Sequence, residues 1–241
     1  MIALRTSGHE KEEAMSHTDV GVRVAGMWLA IASFILAASL LFHGPISPDF
    51  GTQMNRIADG SLRWSIIHWA AAAALSFFAV ASLIMLTTNS RLTQEWWTLS
   101  AWALVPVGAL WTASTAVAEA TVIFNAAVTG NREVYESWWM FAEGRANGFA
   151  AMALAFTVIA ANEARVSHSV TPHWAARVAA VAGAACVLGW VLGSWLHLPL
   201  GAPIWLAGAI VTCLWLVWFG LSLARVEAGR ASIRRDARSG A

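Results

Sequence analysis

The chain has 241 residues, of which 58% are hydrophobic and only 12% are charged, and its formal net charge is +1. A soluble domain carries about 25% charged residues, so this composition excludes a protein whose whole surface faces water. A nearly neutral chain with no basic block before residue 225 also excludes nucleic acid as the main partner.

The shortage of charge is also local. Residues 25–47 and 178–224 contain no lysine, arginine, aspartate or glutamate. An apolar run of about 20 residues is long enough to cross the hydrocarbon core of a bilayer, and in lipid such a run forms a helix because a helix satisfies its own backbone groups. We therefore expect the lipid bilayer to be the main surroundings of this chain, in a multi-pass protein of a bacterial inner (cell) membrane.

Six apolar runs predict an all-α integral membrane protein with six transmembrane helices. In chain order the runs are 23–43, 64–87, 97–127, 138–161, 175–197 and 203–224. The predicted organisation is a polar N-terminal lead (1–22), the transmembrane domain (23–224) and a basic tail (225–241). The third run is longer than a bilayer requires, which predicts that it tilts or projects beyond the membrane.

The arginine distribution predicts the orientation of the helices. The tail holds the strongest positive cluster, formed by Arg225, Arg230, Arg234, Arg235 and Arg238. Positively charged segments stay on the cytoplasmic side, and an even number of helices places both termini on the same side. We therefore expect both the N-terminus and the C-terminus to be cytoplasmic.

Ionisable side chains within membrane spans are few, and they are not scattered. Such residues are costly in lipid and by default indicate a functional site. In the predicted topology they gather at the outer end of the bundle, whereas the cytoplasmic end shows little beyond Asn162 and Glu163. The residues at the outer end are His43, His68, Glu119, Glu143, Arg145 and His197.

Helical spacing predicts which of these residues face a common cavity. Gly108, Thr112, Thr115 and Glu119 form one stripe on the third run, and a second stripe on the fourth run includes Glu143. We expect the two stripes to face each other. The predicted ligand-binding residues are His68, Glu119, Asn125, Glu143, Arg145 and Asn147.

Three classes of function are compatible with these features. The first is a binding, sensing or transport protein whose outward-facing polar pocket holds a small ligand, a cation or protons. The second is a redox or metal protein, in which His43, His68 and His197 ligate haem or a metal ion with help from the carboxylates.

The third class is an accessory subunit of a membrane complex or a homo-oligomer, because the pairs Gly144/Gly148 and Gly189/Gly193 are spaced for close helix contact. The sequence contains no recognisable catalytic motif, which favours a protein that is not an enzyme.

Overall fold

The structure, a computed structural model, describes the backbone of residues 3–44, 46–47, 49–88, 90–142 and 148–239. Side chains are described from residue 20 to residue 225 within these ranges. All regular structure in the described residues is helical, so the prediction of an all-α membrane bundle is confirmed. The α-helices are α1 (Ala3–His43), α2 (Phe50–Asp59), α3 (Ser61–Thr87), α4 (Trp96–Ala118), α5 (Phe124–Thr129), α6 (Arg132–Ala142), α7 (Phe149–Glu163), α8 (His173–Trp190) and α9 (Gly201–Ser239).

Six of these helices form a closed ring. Each of α1, α3, α4, α7, α8 and α9 packs against the helix that follows it in this order, and α9 returns to pack against α1. One apolar core runs through all six helices, with Phe78, Trp102 and Phe219 among its fully buried side chains. Neighbours in the ring are thus helices that follow one another along the chain, apart from the closing pair α9 and α1.

Five segments are long and apolar enough to cross a membrane: Val20–His43, Ser61–Thr87, Trp96–Thr129, His173–Trp195 and Gly201–Arg225. The sixth member of the ring, α7, has 15 residues and is therefore about 22 Å long, less than the hydrocarbon thickness of about 30 Å. The six-span count and the side of each terminus stay predictions.

The fourth predicted helix, over 138–161, is interrupted. The described residues show α6, which ends at Ala142, and α7, which begins at Phe149 after a turn at Gly148. A Cβ atom added at Gly108 would lie 2.7 Å from the carbonyl oxygen of Gly148. Gly108 precedes Glu119 by 11 residues. The start of α7 therefore lies beside α4 at a level about 16 Å from Glu119, measured along the helix toward the N-terminus of α4.

Short helices cover one end of the ring. Helices α2, α5 and α6 pack together there around a second apolar cluster that includes Ile57, Ile123, Tyr135 and Trp139. Helix α5 continues α4 through a π-helical turn, Glu119–Ile123. The third run is longer than a bilayer requires because its last residues form α5, which belongs to the short helices over the end of the ring.

The glycine pair Gly189/Gly193, at the end of α8 and in the π-helical turn that follows it, packs against another helix of the same chain. A Cβ atom at Gly189 would lie 2.9 Å from the carbonyl oxygen of Gly201, and one at Gly193 would lie 3.3 Å from the carbonyl carbon of the same residue. Gly148 likewise contacts Gly108, while Gly144 lies outside the described residues. The described glycines of these pairs therefore serve packing between helices of one chain.

Candidate metal centre

Three ionisable side chains meet at the capped end of the ring. His43 is the last residue of α1, His68 lies two turns into α3, and Glu119 begins the π-helical turn after α4. One ligand atom from each residue lies within 4.8 Å of the other two. His68 and Glu119 are buried, and His43 is partly buried. Three separate helices of the ring thus supply one cluster.

Backbone carbonyl groups fix the proton on each imidazole ring. The Nδ1 atom of His68 lies 2.7 Å from the carbonyl oxygen of Trp64, and the Nδ1 atom of His43 lies 3.1 Å from that of Gly44. A carbonyl oxygen can only accept a hydrogen bond, so Nδ1 is the donor in both rings. When the rings are neutral, each Nε2 atom therefore keeps a free lone pair.

The Nε2 atom of His68 is in direct contact with Oε2 of Glu119. Two groups that both present lone pairs repel each other unless a proton or a cation lies between them. A proton or a cation between these two atoms would relieve that repulsion.

Trp64 supports the cluster from two sides. Its carbonyl oxygen accepts the hydrogen bond from His68, and its indole N–H donates to the backbone carbonyl of Glu119 at 3.1 Å. The centroid of its ring lies 4.2 Å from that of His68 and 5.0 Å from that of His43. Trp139 stacks on Trp64, with the ring centroids 6.2 Å apart. An apolar aromatic wall of this kind keeps water from the buried part of the site.

The π-helical turn sets the position of Glu119. A π-helical turn inserts one extra residue and shifts the hydrogen-bond ladder of the helix, and such turns occur frequently at functional sites. Here the turn begins at Glu119 itself. The widened backbone presents its carbonyl group to Trp64 while the side chain contacts His68.

The structure brings together only part of the set predicted from the sequence. His68 and Glu119 meet, with His43 as the third member. His197 is not part of this group among the described residues, and Asn125 is exposed on α5. Glu143, Arg145 and Asn147 lie outside the described residues.

The partner of Glu119 among the described residues is His68 on α3. The sequence predicts that the stripe of Glu119 faces the stripe of the fourth run, which includes Glu143. The lower part of the first stripe does meet this run, because Gly108 contacts Gly148 and Met152 at the start of α7. Glu143 lies outside the described residues, so the meeting of the two carboxylates stays a prediction.

Trp64 is a residue of the site that was not predicted from the sequence. The available signal was its spacing, because Trp64 and His68 are four residues apart and share one helix face. The π-helical turn had no comparable signal.

The opposite end of the ring contains a buried hydrogen-bond network around Glu163 that was not predicted from the sequence. Glu163 is fully buried and accepts two hydrogen bonds from the Arg91 guanidinium, at 2.7 and 3.2 Å. It also accepts bonds from the Ser169 hydroxyl and the Val170 N–H, both at 3.1 Å. The Glu163 carboxylate therefore connects the loop before α4 with the loop before α8. All four of these hydrogen bonds come from groups of the protein itself.

In comparisons with known proteins, no protein-family model, no curated protein and no solved structure matches this chain.

Proposed function

We propose that this chain is a metal-binding membrane protein that holds a divalent transition-metal ion between His43, His68 and Glu119. The observation that carries the proposal is the convergence of three ligand atoms from three helices within 4.8 Å. Two imidazole nitrogens and one carboxylate oxygen suit ions such as Zn²⁺. Ligands at about 2.1 Å from a tetrahedral ion are about 3.4 Å apart, so small side-chain rotations close the site.

The hydrogen bonds of the two histidines support this proposal. A histidine that ligates a metal typically donates its other ring N–H to a carbonyl or carboxylate, which fixes the ring and the free nitrogen. His43 and His68 both have this arrangement, through Gly44 and Trp64. Three protein ligands leave a fourth position of a tetrahedral ion open to water or to a small ligand.

A single ion fits the cluster better than haem. Haem with two histidine ligands requires the porphyrin plane to lie between the two rings. The rings of His43 and His68 are in edge-to-face contact, with centroids 5.0 Å apart. This contact leaves no room for a porphyrin between them.

A proton is the second candidate for the same site, and the contact between Nε2 of His68 and Oε2 of Glu119 favours it. In the absence of metal this pair requires a shared proton. A metal ion displaces that proton, since only deprotonated groups act as ligands. The two candidates are therefore successive states of one site, and metal binding releases protons into the buffer.

The proposal is tested by titrating the chelator-treated protein in detergent with Zn²⁺, using calorimetry in two buffers that differ in ionisation enthalpy. We expect one ion per chain and proton release. His43→Gln and Glu119→Gln are expected to weaken binding by more than about 100-fold, since loss of an outer partner alone costs about 10–100-fold.

His168→Gln is the matched control, because His168 is exposed and is not part of the cluster. Thermal unfolding followed by tryptophan fluorescence reports whether each variant is folded. His43→Gln leaves the buried His68–Glu119 pair intact, so it keeps the test interpretable if Glu119→Gln is unstable. Zn²⁺ binding of equal strength in wild type and His43→Gln would overturn the proposal.

A further inference from the structure

A small cavity lies inside the ring, away from the cluster at its end. It has a volume of about 20 Å³ and is lined by residues of α1, α3, α7, α8 and α9. A cavity of this size holds one guest about as large as a water molecule. It is therefore too small for an organic ligand and large enough for a single ion.

The walls of this cavity do not suit water. A buried water needs two to four polar partners. Thr212 supplies the one hydroxyl group of the lining, and its proton is already donated to the carbonyl oxygen of Gly208 at 2.8 Å. The other lining side chains are apolar or contain sulfur.

Sulfur is the atom type that distinguishes the lining. Cys186 on α8, Cys213 on α9 and Met152 on α7 all line the cavity, and all three side chains are buried. Both cysteines of the chain are free thiols. The sequence does not indicate a metal site at these cysteines, because they lie in different apolar runs and no other ligand residue is near them in the sequence. The fold places them at one cavity together with a thioether.

We propose that Cys186, Cys213 and Met152 form a binding site for one Cu(I) ion. Thiolate and thioether ligands favour soft ions such as Cu(I) over hard ions. Cu(I) replaces the proton of one cysteine thiol, forming a sulfur–copper bond and releasing one H⁺, while the second cysteine and the methionine coordinate as neutral donors. The bound unit is then uncharged, which an apolar interior tolerates best.

This site is independent of the one formed by His43, His68 and Glu119, which differs in ligand chemistry and shares no residue with it. The test supplies Cu(I) from a chromophoric chelator to the reduced full-length protein under anaerobic conditions. We expect one Cu(I) per chain, with sulfur neighbours in the copper-edge X-ray absorption spectrum.

Variants distinguish this site from other copper ligands. Cys186→Ser and Cys213→Ser are expected to lose the bound Cu(I), and Met152→Leu, which conserves side-chain volume, is expected to weaken its retention. Met85→Leu is the control, because Met85 is buried but does not line the cavity. His43→Gln is expected to keep the Cu(I).

Failure to retain Cu(I), or retention that survives in the Cys186→Ser/Cys213→Ser double variant, would overturn the proposal. Loss of Cu(I) in His43→Gln with retention in the cysteine variants would do the same. Because the readout is copper with sulfur neighbours, these outcomes are separate from Zn²⁺ binding at the first site.

Discussion

At the scale of single residues, the proposed metal centre depends on the hydrogen bonds that orient each side chain. In both imidazole rings Nδ1 donates to a backbone carbonyl group, and the Nε2 atom of His68 contacts the carboxylate of Glu119. Trp64 is the residue that links these contacts, because it bonds to His68 through its backbone and to Glu119 through its side chain. In the proposed centre Trp64 is a positioning residue, because it contacts His68 and Glu119 and is not itself a proposed ligand.

Trp64→Phe is expected to weaken Zn²⁺ binding by roughly tenfold while the protein stays folded. The change removes the indole N–H that donates to Glu119 and keeps an aromatic ring against the histidines. Trp102→Phe is the matched control, because Trp102 is fully buried and its N–H has no hydrogen-bond partner among the described residues. Calorimetry measures both. Equal weakening in the two variants would mean that the effect is general loss of packing.

The sequence predicted some of these residues as site residues but did not predict how they pair. His68 and Glu119 were predicted as site residues because ionisable groups in membrane spans are rare. Their pairing was not found, since it depends on the rotation of α4 relative to α3 and on a π-helical turn that no periodicity indicates. His43 was considered only as a metal ligand, and the structure places it with the other two residues because α1 ends at the level of the site.

At the scale of elements, the cap over the site depends on short helices with their own local signals. Asp49 caps α2 by accepting a hydrogen bond from the Thr52 backbone N–H at 2.7 Å. Helix α2 buries Gln53 and Ile57, and Ile57 joins the apolar cluster that contains Trp64. The apolar runs predicted the spanning helices, whereas α2 was too short and too polar to be recognised from them.

Asp49→Ala is expected to increase amide exchange across residues 50–59 relative to α3, because the first turn of α2 loses its side-chain cap. Asp49→Asn is the control that retains a capping oxygen. Hydrogen bonds from the Thr52 side chain and backbone lower the pKa of Asp49. The cap therefore stabilises α2 above the unfolded-state pKa and is lost as the pH falls through the lower folded-state value.

Acidification of the wild type below about pH 4 should accordingly reduce the protection factors of α2. Protection of residues 50–59 that is the same in Asp49→Ala and wild type would contradict this account of the cap.

At the scale of the whole molecule, the ring closes where α9 returns to α1. Gly26 makes this contact close, since a Cβ atom there would lie 2.6 Å from the carbonyl oxygen of Gly220 and 2.8 Å from Cβ of Leu223. The sequence predicted the membrane bundle from hydropathy. It did not predict which helices close the ring, because small residues at helical spacing fit a neighbour in the same chain or in another chain equally well.

Gly26→Ala is expected to lower the free energy of unfolding by about 1–3 kcal/mol, because the added methyl group pushes backbone against backbone. Gly51→Ala on α2 is the control, since a Cβ atom there would lie 3.5 Å from the nearest atom, the Asp49 carboxylate oxygen. The unfolding midpoint in detergent, followed by tryptophan fluorescence, measures both. A Gly26→Ala variant as stable as Gly51→Ala would show that α1 and α9 are not in close contact.

The proposed metal centre depends on all three scales, and X-ray absorption at the zinc edge of the Zn²⁺-loaded protein tests it most directly. The account predicts nitrogen and oxygen neighbours at about 2.0–2.1 Å, with the multiple-scattering pattern of two imidazole rings. It also predicts that one imidazole is lost in His43→Gln. A spectrum that shows no imidazole neighbours, or one that is identical in wild type and His43→Gln, would contradict it.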